Sequence, residues 1–366
     1  MKKKKITLGE IARLAGVGKA TASRVFTEGA SVAPATRERV LTVARDLGYQ
    51  PSQLAKSLST GRTHYVGVIF AYMDNPFYAA SLEVLTYTLQ DAGYQVLLLM
   101  AWNDTPEEEK IIQKLLDYRV EGIIAGSASI SNAIAQRCAD LGIPVVMYNR
   151  DQLRLNLPAV VSANYQGAHA ATRLLIRTGH TRIAHIAGWQ QATTGIERAK
   201  GFSDAMAEAG LKPVAITDAR FLRHLAVEAT HRLMRDGPRP DAILVGNDNM
   251  AMAVMDVLTG AYGLDIPGDV SVIGYDDAAC AQLGRYDLTT VRQPVGQMAR
   301  EAVGLIESLI LDPAQPARKV VAPATLVVGS TVRGIDLTTA ASTEALSREL
   351  GIDVEVRVPL APGLSA

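Results

Sequence analysis

Thr7–Phe26, TLGEIARLAGVGKATASRVF, is the stretch from which the rest of the chain is read. Thr7 and Glu10 have the T-x-x-E spacing of a capping box, in which the two side chains satisfy free backbone amides at the start of a helix. Leu8, Ile11, Ala12 and Ala15 then recur at helical spacing and give that helix one buried face. Gly16 supplies a turn with Val17 packed beneath it, and a second helix from about Lys19 to Phe26 buries Ala22, Val25 and Phe26. Lys19, Ala20, Thr21, Ser23 and Arg24 are left facing outward, and small or basic side chains there can approach base edges and phosphates. Two short helices around a glycine turn, the second polar and basic, make the pattern of a helix-turn-helix that enters a DNA major groove.

Downstream, Pro34 at a first helical position opens a third helix through Leu47, whose Val40, Val43, Ala44 and Leu47 complete a three-helix core before Gly48 ends it. Pro51–Leu58, PSQLAKSL, can form a helix but is too short to be stable alone, so it should order only when something packs on it. A conditional helix between two domains is a natural coupling element. The charge distribution agrees. Residues 1–62 hold twelve Lys or Arg against four Asp or Glu, a balance of +8, and since the whole chain is neutral the other 304 residues sum to −8. A basic head on an acidic body is the electrostatic footprint of nucleic-acid binding confined to one end. Lys2–Lys5 taken alone read as a solvated tail.

At 366 residues and 48% hydrophobic content the chain should fold as two or three domains. No run approaches the roughly 18 apolar residues of a membrane span, and the opening lysines lead into no signal-peptide core, so no membrane partner and no export are expected. Cys138 and Cys280 are too few for a disulfide framework or a zinc site, which suits the cytoplasm, and no cofactor or metal is implied.

From Tyr65 the rhythm becomes strand, helix, strand. Short apolar strands are expected at Val66–Phe70, Val96–Met100, Gly122–Ala125 and Val145–Tyr148, with helices at Pro76–Ala92, Pro106–Tyr118 and Ile130–Leu141 between them. A second series has strands at Val160–Ser162, Ile183–Ile186, Val214–Ile216, Ala242–Val245 and Val270–Ile273, and helices near 165–178, 196–209, 225–235 and 248–258. The alternation predicts an α/β fold of two doubly wound parallel subdomains. Ligands of such folds bind outside the carboxyl ends of the strands, here in the cleft between the halves. Beyond Arg333 the pattern fades: Ser342–Leu350 could make two helical turns, and Pro359–Ala366 reads as a flexible end.

Taken together, IARLAGVGKATASRVF, TRERVLTVARDLGYQPSQLAKSLSTGRT, NPFY, EGIIAGS, GIPVVMYNR, GHTRIAHIAG, ERAKGF, VGNDNMAM and VSVIGYDD with DLTTVRQP resemble bacterial repressors of the LacI/GalR family, from Thr7 to about Arg333. The resemblance implies a homodimer whose two heads read a near-palindromic operator, and a periplasmic-binding-protein-like body that takes a small effector. The implied organisation is a headpiece over 1–50, a hinge over 51–62, a body over 63–334 and a tail over 335–366. Within the body, one subdomain would span about 63–158 and 294–318, the other about 159–293 and 319–334. A regulator of this kind would work in the cytoplasm, on the nucleoid.

Carried over residue by residue, Lys19, Ala20 and Arg24 fall at base-reading positions, and Thr21 and Ser23 near phosphates. Leu58 matches the hinge leucine that wedges into the minor groove, with Ala55 and Lys56 beside it. Two positions depart from the family. Gly18 and Ala33 stand where serine caps are usual, removing a hydroxyl in the first case and about 1 kcal/mol of capping in the second. In the body, Phe77 and Tyr78 match cleft-lining aromatics, and Asn149, Arg198, Phe221, Asn247 and Asp276 match positions that touch effector. Arginine offers planar paired donors, aspartate accepts paired hydroxyls, asparagine does both, and an aromatic face covers a sugar ring or a base. Ligand contact is favoured over a mutual ion pair for Arg198 and Asp276. Arg150 and Asp277 would lie behind the contacts or at the surface, and His180 would order a turn.

The expected function is that of a sequence-specific regulator, a repressor controlled by a sugar or sugar derivative. Effector binding would change the angle between the halves and so form or melt the hinge helices; induction and corepression both fit. One competing reading is a periplasmic-type sugar-binding protein, which the basic head opposes. Another is an α/β enzyme, for which phosphate-loop, zincin, nucleophile-elbow and dinucleotide motifs are missing, although Asp248, Asp276 and Asp277 could be imagined as acid and base.

Overall fold

The computed structural model describes residues 6–27, 29–49, 62–71, 73–100, 105–126, 131–152, 155–335 and 339–357. The hinge segment, with Ala55, Lys56 and Leu58, lies outside them. Residues 1–64 and 65–366 are separate compact units.

The head consists of α1 (Leu8–Leu14), α2 (Lys19–Val25) and α3 (Pro34–Asp46). The Thr7–Glu10 capping box forms as expected, and Gly16 takes a φ of 63° at the turn. Ile11, Ala12, Ala15, Ala22, Val25, Val40 and Ala44 make the core, with Phe26 against Tyr49 at 5.6 Å. Leu47, expected in that core, is 38% exposed; it caps α3 at its carboxyl end, and Tyr49 packs inward instead. Arg37 donates to the Val25 and Ala30 carbonyls, both at 2.9 Å, and so ties the end of α2 to α3.

The body opens with β1 (Tyr65–Phe70), α4 (Pro76–Asp91), β2 (Gln95–Met100), α5 (Thr105–Asp117), β3 (Gly122–Gly126), α6 (Asn132–Asp140), β4 (Val145–Tyr148) and β5 (Ala159–Ser162). The second half carries α7 (Asn164–Arg177), β6 (Ile183–Ala187), α8 (Thr193–Glu208), β7 (Ile216–Asp218), α9 (Arg223–Arg235), β8 (Ala242–Val245), α10 (Asp248–Tyr262), β9 (Ser271–Ile273) and β10 (Thr290–Arg292). The chain ends with α11 (Val295–Leu311), β11 (Lys319–Ala322), β12 (Thr325–Val328), α12 (Ala340–Leu350) and β13 (Asp353–Val356). Sheet one is parallel in the order β11-β5-β4-β3-β1-β2, and sheet two is parallel in the order β7-β6-β8-β9. A third sheet, β10-β12-β13, runs beside β9 through the bridges Ile273–Thr289 and Asp276–Arg292.

Two assignments change. The sequence pattern places the strand Val160–Ser162, and 319–334, in the second half; β5 and β11 instead complete sheet one, with Val160 opposite Val320 and Met147 opposite Ala159. The crossings between halves therefore fall near 163, 293–294 and 323–324. The segment after 334 is also not a loose tail through residue 357. Leu346, Leu350 and Val354 enter the second-half core, and β13 pairs with β12. Beside the crossings, Lys319 reaches Asp151 at 2.6 Å and Glu197 on α8 at 3.5 Å.

Helix approach in the second half depends on glycine. A β-carbon at Gly201 of α8 would lie 2.3 Å from the Tyr165 carbonyl of α7, so only hydrogen fits there.

Candidate functional site

On the head, α2 presents Lys19, Ala20 and Arg24 in exposed positions, with Thr21 and Ser23 half-buried. Its burial is confined to Ala22 and Val25, so the outer face is free of apolar bulk. Neither Gly18 nor Ala33 makes a side-chain cap. The result is a short helix with two cations and small neighbours on one surface, the chemistry needed to reach base edges between phosphates.

In the body the site is built where strands end. Asn75 follows β1 and caps α4, its Oδ1 accepting from the Phe77 amide at 3.1 Å. Asn149 follows β4, Trp189 follows β6, Phe221 sits after β7, Asn247 after β8 and Asp276 after β9. Five residues in this group and beside it hold left-handed backbone: Asn149 (φ 68°), Arg220 (53°), Phe221 (62°), Asp276 (124°) and Asp277 (56°). Side-chain-bearing residues stay in that region only where surrounding structure enforces it, and such positions gather at ligand sites.

Asp276 is the meeting point. Its Oδ1 accepts from Gln293 Nε2 at 2.7 Å and lies 3.6 Å from Arg198 Nη1, while its Oδ2 accepts from Asn75 Nδ2 at 3.1 Å. The Asn75 contact crosses from one half to the other. Burial raises the Asp276 carboxyl above the ordinary carboxylate range, against the pull of Arg198. Arg198 donates to Asn164 Oδ1 at 2.8 Å and to the Gly246 carbonyl at 2.7 Å. Its guanidinium lies 3.6 Å from the Tyr275 ring centre and 5.8 Å from that of Phe221. A second crossing contact brings the Arg150 guanidinium 5.5 Å from Phe221 and 5.9 Å from Trp189, with Nη2 donating to the Tyr78 hydroxyl at 3.4 Å.

The carried-over residues thus divide. Arg198, Phe221 and Asp276 come together, Tyr78 joins them through Arg150, and Asn149 immediately precedes Arg150 in the chain. Arg198 and Asp276, expected to reserve themselves for ligand, are paired with each other. Phe77 packs in the first-half core, edge-on to Tyr78 at 5.4 Å. Asn247 caps α10, accepting from the Met250 amide at 2.8 Å. Asn149 Oδ1 and Thr194 Oγ1 are buried without a hydrogen-bond partner among the described residues, a costly state that a polar ligand would relieve.

Asp277 is not at the surface: its side chain is 3% exposed and held by Arg292 and Arg357. Asp248 is engaged structurally, accepting from Thr290 Oγ1 at 2.6 Å and the Ala278 amide at 2.8 Å. His180 does order its turn, bonding the Leu175 carbonyl and Ser271. Sequence reading missed Asn75, Asn164, Trp189, Tyr275 and Gln293. Asn75, Tyr275 and Gln293 lie inside quoted motifs, and Trp189 just past the end of an apolar strand was a usable signal. No local pattern marked Asn164.

Among the described residues no helix is long and apolar enough to cross a membrane, and no cluster of metal-ligating side chains occurs. Residues 7–52 match the bacterial regulatory proteins of the lacI family, and residues 172–332 match a periplasmic binding protein-like domain. The HTH-type transcriptional regulator CelR of Thermobifida fusca is 33% identical over 332 residues, covering 87% of this chain and 96% of that protein. The ribose operon repressor of Escherichia coli K12 is 31% identical over 315 residues, covering 84% and 94%. Among solved structures, a CelR–cellobiose complex aligns at a TM-score of 0.68 with 31% identity, over 89% of this chain and 99% of that one. The lac repressor dimer bound to operator and the anti-inducer ONPF aligns at 0.81 over 90% and 99%, with 24% identity, a likeness of fold.

Proposed function

The chain belongs to the lacI family of bacterial regulatory proteins, and on that premise we propose which residues read DNA, which hold the effector and what the effector is. The protein is a DNA-binding transcriptional regulator and not an enzyme. It acts as a homodimer that presents two copies of α2 to a near-palindromic operator, with Lys19, Ala20 and Arg24 reading bases and Thr21 and Ser23 bonding phosphates. Ala55, Lys56 and Leu58 serve the hinge. As a DNA-bound regulator it works in the cytoplasm, on the nucleoid.

The effector is a neutral sugar held between the halves. Asp276 and Arg198 take its hydroxyls, Asn149 adds an amide contact, and Tyr78, Phe221 and Trp189 wall the ring. One observation carries the reading: the buried Asp276–Arg198 pair receives Asn75 from the opposite half, and Asn149, just past the end of β4, holds an oxygen with no partner among the described residues. Paired donors and acceptors fixed in low dielectric suit vicinal hydroxyls. The CelR structure with cellobiose supports a sugar from the side of the relatives. An effector that favours one closure of the halves over another shifts the hinge by its difference in affinity for the two, typically about 1–3 kcal/mol.

A thermal-shift series on the full chain with cellobiose, ribose, glucose and adenine tests this. A ligand at about 100 times its Kd should stabilise the protein by roughly 2.7 kcal/mol. No shift with any sugar, or a shift with adenine alone, would overturn the sugar reading. Asp276→Ala should abolish the sugar response while leaving operator binding intact, as read by fluorescence anisotropy on operator DNA; a normal response removes Asp276 from the site.

A further inference from the structure

The 339–357 segment lies beyond the periplasmic binding protein-like match, which ends at residue 332, yet it reaches Asp277, the neighbour of Asp276. α12 anchors it through Leu346 and Leu350, and β13 continues in parallel along β12, with Leu326 opposite Val354 and Val328 opposite Val356. That register delivers Arg357. Its amide donates to the Val328 carbonyl at 2.8 Å, and its Nη2 donates to Asp277 Oδ1 at 2.8 Å and to the Leu288 carbonyl at 3.0 Å. Its Nε lies 3.6 Å from Asp287 Oδ1. Arg292 takes the other oxygen of Asp277, Nε to Oδ2 at 2.6 Å, and is itself held by Glu355 of β13 at 2.5 Å. Each oxygen of Asp277 therefore receives one guanidinium, and β13 supplies or steadies both.

Asp277 is the neighbour of the residue at which the effector site converges. Asp276 and Asp277 are consecutive residues in left-handed backbone, a conformation that lasts only when several contacts impose it. On one side the Asp276 amide donates to the Val291 carbonyl at 2.8 Å. On the other the two arginines hold Asp277. With that grip released, the turn can relax toward ordinary φ, which swings the Asp276 carboxylate away from Arg198 and Gln293.

We propose that Arg357, delivered by the C-terminal strand, is a positioning residue of the effector site, clamping Asp277 and thereby aiming Asp276. The proposal rests on the reading that Asp276 holds effector, but its structural core is testable without any ligand. Amide hydrogen exchange on the full-length chain, free of sugar, should show residues 274–279 exchanging roughly tenfold faster in Arg357→Ala than in wild type, with 346–354 unchanged. Arg357→Lys restores one cation and should recover part of the protection. Wild-type exchange at 274–279 in Arg357→Ala would overturn the clamp. If Arg357→Ala also loosens 346–354, Asp277→Asn decides: it keeps the shape, loses both ion pairs, and must show the same acceleration at 274–279 with β13 in place, or the proposal fails. Cellobiose titration then extends the result, Kd rising roughly tenfold in Arg357→Ala and less in Arg357→Lys. A wild-type chain that ignores cellobiose counts against that sugar as effector, while the exchange data still decide Arg357.

Discussion

Asp248 is a carboxylic acid that solvent does not reach, and it sets a pH dependence for the body. Burial, with the nearby Asp276 charge added, pushes its pKa from 3.8 up to about 7, while bonds from Thr290 and the Ala278 amide act in the opposite sense. A folded-state pKa above the unfolded one means that the folded protein binds the extra proton. The associated stability is complete below about pH 4 and is lost as pH rises through about 7. Asp276 is shifted in the same direction. The unfolding temperature should therefore fall between pH 5 and pH 8, and Asp248→Asn should flatten that slope; an equally steep slope in the variant would remove Asp248 as its source. The sequence made the motif around Asn247 and Asp248 visible but not the division of labour within it. Whether an amide caps a helix or meets a ligand depends on which amides the fold places within 3 Å, and here the Met250 amide claims Asn247.

Helices show the clearest agreement between pattern and structure, and also the most direct tests. Thr7 and Glu10 form the capping box that their spacing implied, whereas Ala33, at the cap position before α3, makes no side-chain cap. Ala33→Ser should stabilise the head by about 1 kcal/mol, measured by denaturant unfolding of the full chain followed at the head. Arg37→Ala should destabilise it by roughly 2 kcal/mol, because two half-buried bonds from a charged donor to backbone carbonyls are lost together. Gly201→Ala places a methyl against the Tyr165 carbonyl and should cost about 1–3 kcal/mol by parting α7 from α8; a variant as stable as wild type would show that the helices have slack. Strand spans were legible for the same reason as helices, from short apolar runs between helical periods. Strand partners were not: β5 carries the same apolar run in either sheet, and only the 163 crossing decided for sheet one.

At the scale of the molecule, the proposed dimer needs a face. Edge strand β2 leaves Leu98 and Met100 each 41% exposed, and α4 beside it leaves Tyr87 61% exposed. An open strand edge with apolar side chains is a surface that folded proteins normally cover. Tyr87→Asp combined with Leu98→Asp should convert the proposed dimer to monomer in sedimentation velocity and weaken operator binding; a dimer unchanged by the two substitutions would place the interface elsewhere.

From the sequence alone came the helix-turn-helix, the basic head on an acidic body, the two alternating α/β halves and the family, because capping, periodicity and charge are local properties that each segment carries by itself. The tertiary structure alone decided that β5 and β11 finish the first sheet, that residues 339–357 belong to the body, and that Asn75, Gln293 and three arginines converge on the 276–277 turn. Those are contacts between residues far apart in the chain. Their partners are chosen by the direction in which strands leave a sheet and by which buried charges must find one another, and no window of sequence contains both members of the pair.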